Sequence, residues 1–295
     1  MWWPFRSRED SPPRSPRDTR AVPVPSTPSG APFRLDVAIV SDVGSVREQN
    51  EDRGRCIRPG DPERLDRRGV LVLVADGMGG HEAGDVASMT AADVVAKAYY
   101  AAAGTPLEAL GRAFAEANTQ IHAAAADGTG RPGMGTTCTA LAIRGAEAVW
   151  AHVGDSRLYR LRGSRIERLT TDHSVVGELV ADGVISEEEA RHHDQRNVIT
   201  RALGIAPAVE PSLGGPLMVA TGDVFVLMSD GLYDLVPESE IGEVVAADPH
   251  DAAHELVDRA NARGGYDNVT VAVVRAATAS PTATARPTAE APALS

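Results

Sequence analysis

The chain has 295 residues and a formal net charge of −12, and aromatic residues fill only 4% of its positions. That length allows a substantial core, which Val, Leu, Ile and Ala must fill. The first 34 residues carry Arg6, Arg8, Arg14, Arg17, Arg20 and Arg34 against Glu9, Asp10 and Asp18; the remainder is therefore more acidic than the total and repels nucleic-acid phosphates.

Residues 1–33 are rich in Pro, Arg and Ser and bury too little to offset ordering entropy, so a disordered arm is expected there. "RLDVAIVSDVG" and "GVLVLVADG" read as strands. An Ala-rich helix over 85–103 ends at Gly104, and a second starts near Pro106 and runs over 107–126. "GTTCTALAIRG", "AEAVWAHVGDS", "RLYRLRG" and "SRIERLT" are short apolar runs separated by Gly, Asp and Ser, with connections that suit antiparallel hairpins. "GMGTT" at 133–137 lacks the Lys and spacing of a phosphate-binding P-loop and starts a strand. "DHSVVGELVADGVISEEEARHHD" is helical but broken at Gly183, and its His192 and His193 read as surface residues. "DVFVLMSDG" is a strand, "ESEIGEVVAAD" and "PHDAAHELVDRANARGG" are helices, and "DNVTVAVVRA" is a final strand. An Ala/Thr/Pro tail over 276–295 leaves 34–275 as the expected folded domain. Meandering strands with helices in pairs argue for antiparallel sheets covered by helices.

Cys56 and Cys138 make no disulfide framework, and no Cys-x-x-Cys pair suggests zinc. No apolar run is long enough to span a bilayer, and "MWWPFRSRED" interrupts its apolar residues with Pro and Arg, unlike a secretory signal. A cytoplasmic protein is expected.

Five aspartates sit at the ends of apolar runs: Asp52, Asp76, Asp155, Asp230 and Asp267. Asp-Gly after a strand is also an ordinary turn signal. If these ends converge, the carboxylates cannot all stay ionised without a cation. Oxygen-only ligands favour a hard ion, Mg²⁺ or Mn²⁺. Gly77 lets the chain turn so that its carbonyl faces such an ion.

Eight segments in order, "SDVGSVREQNEDR", "VADGMGGHEAGDVAS", "GTTCTALAI", "HVGDSRLYRLR", "LTTDHSVVGELV", "RNVITRALG", "MSDGLYD" and "DNVTVAVV", resemble the motifs of PP2C-type (PPM) metal-dependent serine/threonine protein phosphatases, in particular their bacterial branch. The resemblance spans about 36–274. It implies an α+β fold, a four-layer αββα sandwich of two antiparallel sheets flanked by helix pairs. It also implies hydrolysis of phosphoserine and phosphothreonine on proteins, opposing a serine/threonine kinase that is itself a possible partner, by a monomeric enzyme.

By the same resemblance, Asp52, Asp76, Asp230 and Asp267 are metal-binding aspartates, and Gly77 contributes its carbonyl. Glu51 acts on the metals through water, Asp155 attends a third ion, and Arg47 grips the substrate phosphate. Residues 172–204 match a flap that influences substrate choice. Paired cations lower the pKa of a shared water, and Arg suits phosphate because its planar fork donates two parallel hydrogen bonds. The position directly after Asp-Gly is Met78; either His81 or a metal-activated water protonates the leaving group. Two other readings remain: a non-catalytic module that kept the fold, and a two-metal phosphodiesterase acting on nucleic acid, against which the acidic domain counts.

Overall fold

The computed structural model describes residues 33–79, 82–127 and 133–278. The elements in chain order are β1 (Phe33–Asp42), β2 (Asp52–Ile57), α1 (Pro62–Arg68), β3 (Val70–Met78), α2 (Glu82–Ala101), α3 (Pro106–Asp127), β4 (Gly135–Thr136), β5 (Cys138–Arg144), β6 (Glu147–Val153), β7 (Arg157–Arg162) and β8 (Arg165–Arg168). They continue with α4 (Val175–Ala181), α5 (Glu187–Arg191), β9 (Ser212–Met218), β10 (Val224–Met228), α6 (Asp230–Tyr233), α7 (Glu238–Val244), α8 (Pro249–Ala262) and β11 (Val269–Thr278).

Two antiparallel sheets form, in the orders β1-β11-β10-β7-β8 and β2-β3-β5-β6-β9. The expected α+β sandwich is what the chain adopts. Its strands are apolar on both faces because each sheet is covered twice. Val70, Val72 and Val74 of β3 meet Phe225 and Leu227 of β10 between the sheets. The alternate residues Leu71, Leu73 and Ala75 turn to Ala91 and Val95 of α2 and Phe114 of α3. On the far side Val226 and Val273 pack under Ile241 of α7 and Leu256 of α8. This alternation is the period-2 geometry of a strand, and each buried Leu, Val or Phe contributes about 1.5–3 kcal/mol.

β1 and β11 pair from Phe33↔Thr278 to Asp42↔Val269, so paired strand begins one residue before, and ends three residues after, the expected limits of 34 and 275. The rest of the two expected tails lies outside the described residues. Sequence reading found neither β2 nor β9, both edge strands of their sheet, nor the short α1. β2 reads "DRGRCI", and its Arg53 and Arg55 turn to Asp85 and Asp93 of α2, so the strand carries no alternating apolar signal. No helix among the described residues is long and apolar enough to cross a membrane.

The sandwich places several strand ends and loops at one edge. Gly183, with φ +69, separates α4 from α5 as expected. The segment containing those helices is pinned at its base by bridges Ser174↔Ile199 and Thr136↔Leu203.

Candidate active site

Asp52 opens β2 and faces Asp76 of β3 as its Cα partner. Asp230 follows β10 at the start of α6, Asp155 lies in the connection between β6 and β7, and Asp267 precedes β11. Burial first, and then the charges of Asp52, Asp230, Asp155 and Asp267, push the Asp76 carboxyl well above the usual carboxylate range. Burial first, and then Asp155, Asp234, Asp267 and Asp52, do the same to Asp230. Five aspartates from distant parts of the sequence therefore share one electrostatic neighbourhood.

Burial raises Asp52 to about 6, against the opposing hydrogen bond from Ser229. Burial and the nearby Asp172 raise Asp155 to about 7. Asp52 Oδ2 accepts from Ser229 Oγ at 2.7 Å, while Asp52 Oδ1 and Asp230 Oδ1 are buried with no hydrogen-bond partner among the described residues. Buried carboxylate oxygens without donors fit a divalent cation, which supplies the missing charge and takes oxygen ligands. As the side chains lie, no three acidic, imidazole or thiol groups among the described residues are set to hold one ion. Asp267 is instead engaged by Arg47, with Nη2 donating to Oδ2 at 2.6 Å.

Arg47 lies in the β1–β2 loop, about half exposed, and feels Asp267, Glu51 and Asp230. Burial opposes its charge, but these acids outweigh burial and raise its pKa. Glu51 is held by its backbone: its N–H donates to Asn268 Oδ1 at 2.8 Å, and its carbonyl accepts from Ser88 Oγ at 2.5 Å. Its carboxylate occupies the place a side chain at Gly84 would take.

Gly77 departs from its expected role as the turn. It continues β3, pairs with Thr136 and donates to Glu51 O at 3.2 Å. The turn falls at Gly79, with φ +122. Glycine is needed at 77 because a Cβ would collide with the Gly84 carbonyl of α2. His81 lies outside the described residues. His192 and His193 lie on α5's C-terminal side, His192 exposed and paired with Glu188 at 3.4 Å.

Three further residues organise the site. Asn268 is buried, and its amide donates to Val43 O at 3.0 Å and Gln49 O at 2.9 Å while its oxygen takes the Glu51 N–H. One side chain thus staples the loop carrying Arg47 and Glu51 to the strand that follows Asp267. Thr137 Oγ1 accepts from Asp76 N at 3.0 Å, and Thr137 N donates to Asp76 O at 2.8 Å. His173 N donates to Gly154 O at 2.7 Å and its Nδ1 accepts from Gly154 N at 3.1 Å, clamping the residue before Asp155. Burial, then Arg201, drops His173 to about 4, so it is neutral. All three stand inside the quoted motifs, but a hydrogen bond across the fold leaves no periodic signal.

The expected flap borders the site. Asp155 and Asp230 line a cleft of about 310 Å³ together with Val176 of α4, Ala190 and Arg191 of α5, and Arg196. Arg157, which opens β7 and stacks 3.6 Å over the Tyr233 ring, holds Asp172 at the base of this segment, with Nη2 donating at 2.6 Å.

A family model described as Protein phosphatase 2C matches residues 63–262. Protein phosphatase PhpP of Streptococcus pneumoniae is 36% identical over 247 residues, covering 81% of this chain and 97% of that protein. Serine/threonine phosphatase stp of Listeria monocytogenes is 38% identical over 241 residues, covering 79% of this chain and 93% of its own. Among solved structures, the Mycobacterium tuberculosis serine/threonine phosphatase PstP/Ppp superposes with a TM-score of 0.73 at 37% identity, over 82% of this chain and 99% of that one. A PstP catalytic domain in complex with two manganese ions gives 0.71 at 36% identity, over 82% and 98%.

Proposed function

From the premise that this chain belongs to the protein phosphatase 2C family, we infer how its acidic edge carries out the family's reaction. The chain is a metal-dependent protein serine/threonine phosphatase, and its substrates are phosphoproteins.

Asp52, Asp76, Asp230 and Asp267 hold two divalent cations, Mn²⁺ or Mg²⁺, with the Gly77 carbonyl and, through water, Glu51. The observation that carries this reading is the pair of buried, donorless oxygens, Asp52 Oδ1 and Asp230 Oδ1, among carboxylates that repel one another. Asp155 serves a third ion. When bound, such ions supply Lewis acidity, lowering the pKa of water and neutralising phosphate charge.

The residues of the chain do the rest. Ser229 and Thr137 fix the Asp52 and Asp76 arms so that the ligand set costs little reorganisation. Arg47 would exchange its bond to Asp267 for the substrate phosphate, which would leave that carboxylate free to hold a cation. Its planar guanidinium then orients the phosphorus for in-line attack. His81 would supply the proton to the departing alkoxide, the alternative source being water made acidic by bound ions. No cysteine takes part: burial pushes the Cys56 thiol up to about 11 and raises Cys138 as well, so neither is a ready nucleophile.

The enzyme opposes a serine/threonine kinase and acts in the cytoplasm as a monomer, with catalysis in the domain expected over 34–275. The test is release of phosphate from p-nitrophenyl phosphate and from phosphothreonine peptides by the full chain with Mn²⁺, and its loss in EDTA. Inactivity on both substrates with Mn²⁺ overturns the assignment.

A further inference from the structure

We propose that Tyr266 determines substrate specificity by receiving an apolar or aromatic side chain that flanks the phosphorylated Ser or Thr of the substrate. The proposal rests on the phosphatase reading above and names a feature of the protein chain it acts on.

Tyr266 is 62% exposed and lines the cleft that opens on Asp155 and Asp230. A lone exposed aromatic is ordinary on a protein surface. Tyr266 differs by position and support. It directly precedes Asp267, whose carboxylate binds Arg47. Its loop is fixed against the loop of Arg47 by the Ser45 N–H, which donates to Gly265 O at 2.7 Å. Gly264, with φ +125, gives the ring its seat, because a Cβ there would overlap the ring carbons. An aromatic ring held in this way is pre-organised, so little conformational entropy is lost when it meets a partner.

The cleft beyond it offers such a guest apolar surface on part of its wall. Val176, Ala190, Leu235 and Pro237 supply it, beside the charged Arg191, Arg196 and Asp234 and the two aspartates Asp155 and Asp230. Two charged lining residues, Arg157 and Asp172, are already joined by three hydrogen bonds, with Nε donating at 3.1 and 3.0 Å and Nη2 at 2.6 Å. Glu187 is paired with Arg168 at 2.8 Å. A volume of about 310 Å³ is at the lower end for ligand sites, so it admits a side chain or two and no folded partner.

The experiment uses the full chain with Mn²⁺ and phosphothreonine peptides identical except at the residues on either side of phosphothreonine, which are Phe, Gly, Arg or Glu. The wild type is expected to prefer Phe over Gly by about three- to tenfold in kcat/KM, mainly through KM, the range of an aromatic contact. Tyr266→Phe keeps that preference, and Tyr266→Ala brings the ratio to about one. Hydrolysis of all four peptides at equal kcat/KM, a preference for Arg or Glu over Phe, or a Phe preference that survives in Tyr266→Ala overturns the specificity role while leaving the phosphatase reading standing. No hydrolysis of any peptide takes down both.

Discussion

Asp52 and Asp76 are direct partners across the β2–β3 ladder, so two carboxylates face each other on neighbouring strands. Like charges so placed destabilise a sheet. Asp76→Asn removes one charge from a group that Asp52, Asp230, Asp155 and Asp267 all repel. Activity with Mn²⁺ is expected to fall by more than about 100-fold, by analogy with losses seen at metal sites. The thermal midpoint in EDTA is expected to rise, by ~2–4 °C for each kcal/mol of repulsion relieved. A lower midpoint in EDTA than wild type contradicts the claim of repulsion.

Metal binding should weaken as pH falls. Burial, reinforced by Asp172, holds Asp155 at about 7, and burial holds Asp52 at about 6. Above pH 7 both are mainly ionised and ready to ligate; below 6 a cation must displace a proton from each. Mn²⁺ titrations by calorimetry at pH 7.5, 6.5 and 5.5 are expected to show affinity dropping through that window. Proton release should appear as a heat that varies with buffer. Affinity constant over that range rules out Asp52 and Asp155 as ligands.

Arg47 should act on phosphate binding more than on turnover. A charge-assisted hydrogen bond is worth about 1.5–3 kcal/mol, so Arg47→Ala is expected to raise KM for a phosphothreonine peptide by about 10- to 100-fold. Arg47→Lys restores the charge without the planar fork and recovers only part of the loss. A kcat loss with unchanged KM assigns Arg47 elsewhere.

Asn268 is a positioning residue for the same loop. Its side chain makes three hydrogen bonds, to Glu51 N, Val43 O and Gln49 O. Asn268→Ala leaves those groups unpaired and is expected to cost about 2–4 kcal/mol in urea unfolding. Asn268→Asp keeps the acceptor but presents a carboxylate to two carbonyls, so it should not rescue KM. Recovery of wild-type KM in Asn268→Asp would deny the staple.

The two glycines facing each other near Glu51 should separate stability from metal binding. A Cβ on Gly77 strikes only backbone, the Gly84 carbonyl and the Glu51 oxygen, whereas one on Gly84 strikes first the end of the Glu51 side chain and then the Gly77 backbone carbon at 2.8 Å. Backbone cannot yield as a side chain can, so Gly77→Ala is expected to cost about 1–3 kcal/mol or more of stability. Gly84→Ala, whose one backbone contact at 2.8 Å is less severe, should lose less stability in EDTA than Gly77→Ala but bind Mn²⁺ more weakly. Equal midpoints for the two variants would contradict this division.

The sequence determined the core strands and long helices, because each of them buries apolar residues at its own period: Leu71, Leu73 and Ala75 toward the helices, Val70, Val72 and Val74 toward the other sheet. It also determined which aspartates are candidates, since Asp76 and Asp230 end apolar runs and the ordered motifs name a family. Only the tertiary structure decided that those aspartates share one field. Their meeting depends on the register of β2 on β3 and the pairing of β10 with β11, and neither is written in local periodicity. The same holds for the edge strands β2, which is polar, and β9, whose apolar residues are interrupted by Gly214, Gly215 and Pro216, so that neither carries an alternating signal. It holds also for Asn268 and His173, whose polar side chains bind partners far away along the chain. The turn near Gly77 went to Gly79 for the same reason: the steric demand at 77 comes from α2, and helix-to-strand contact is a property of the folded chain alone.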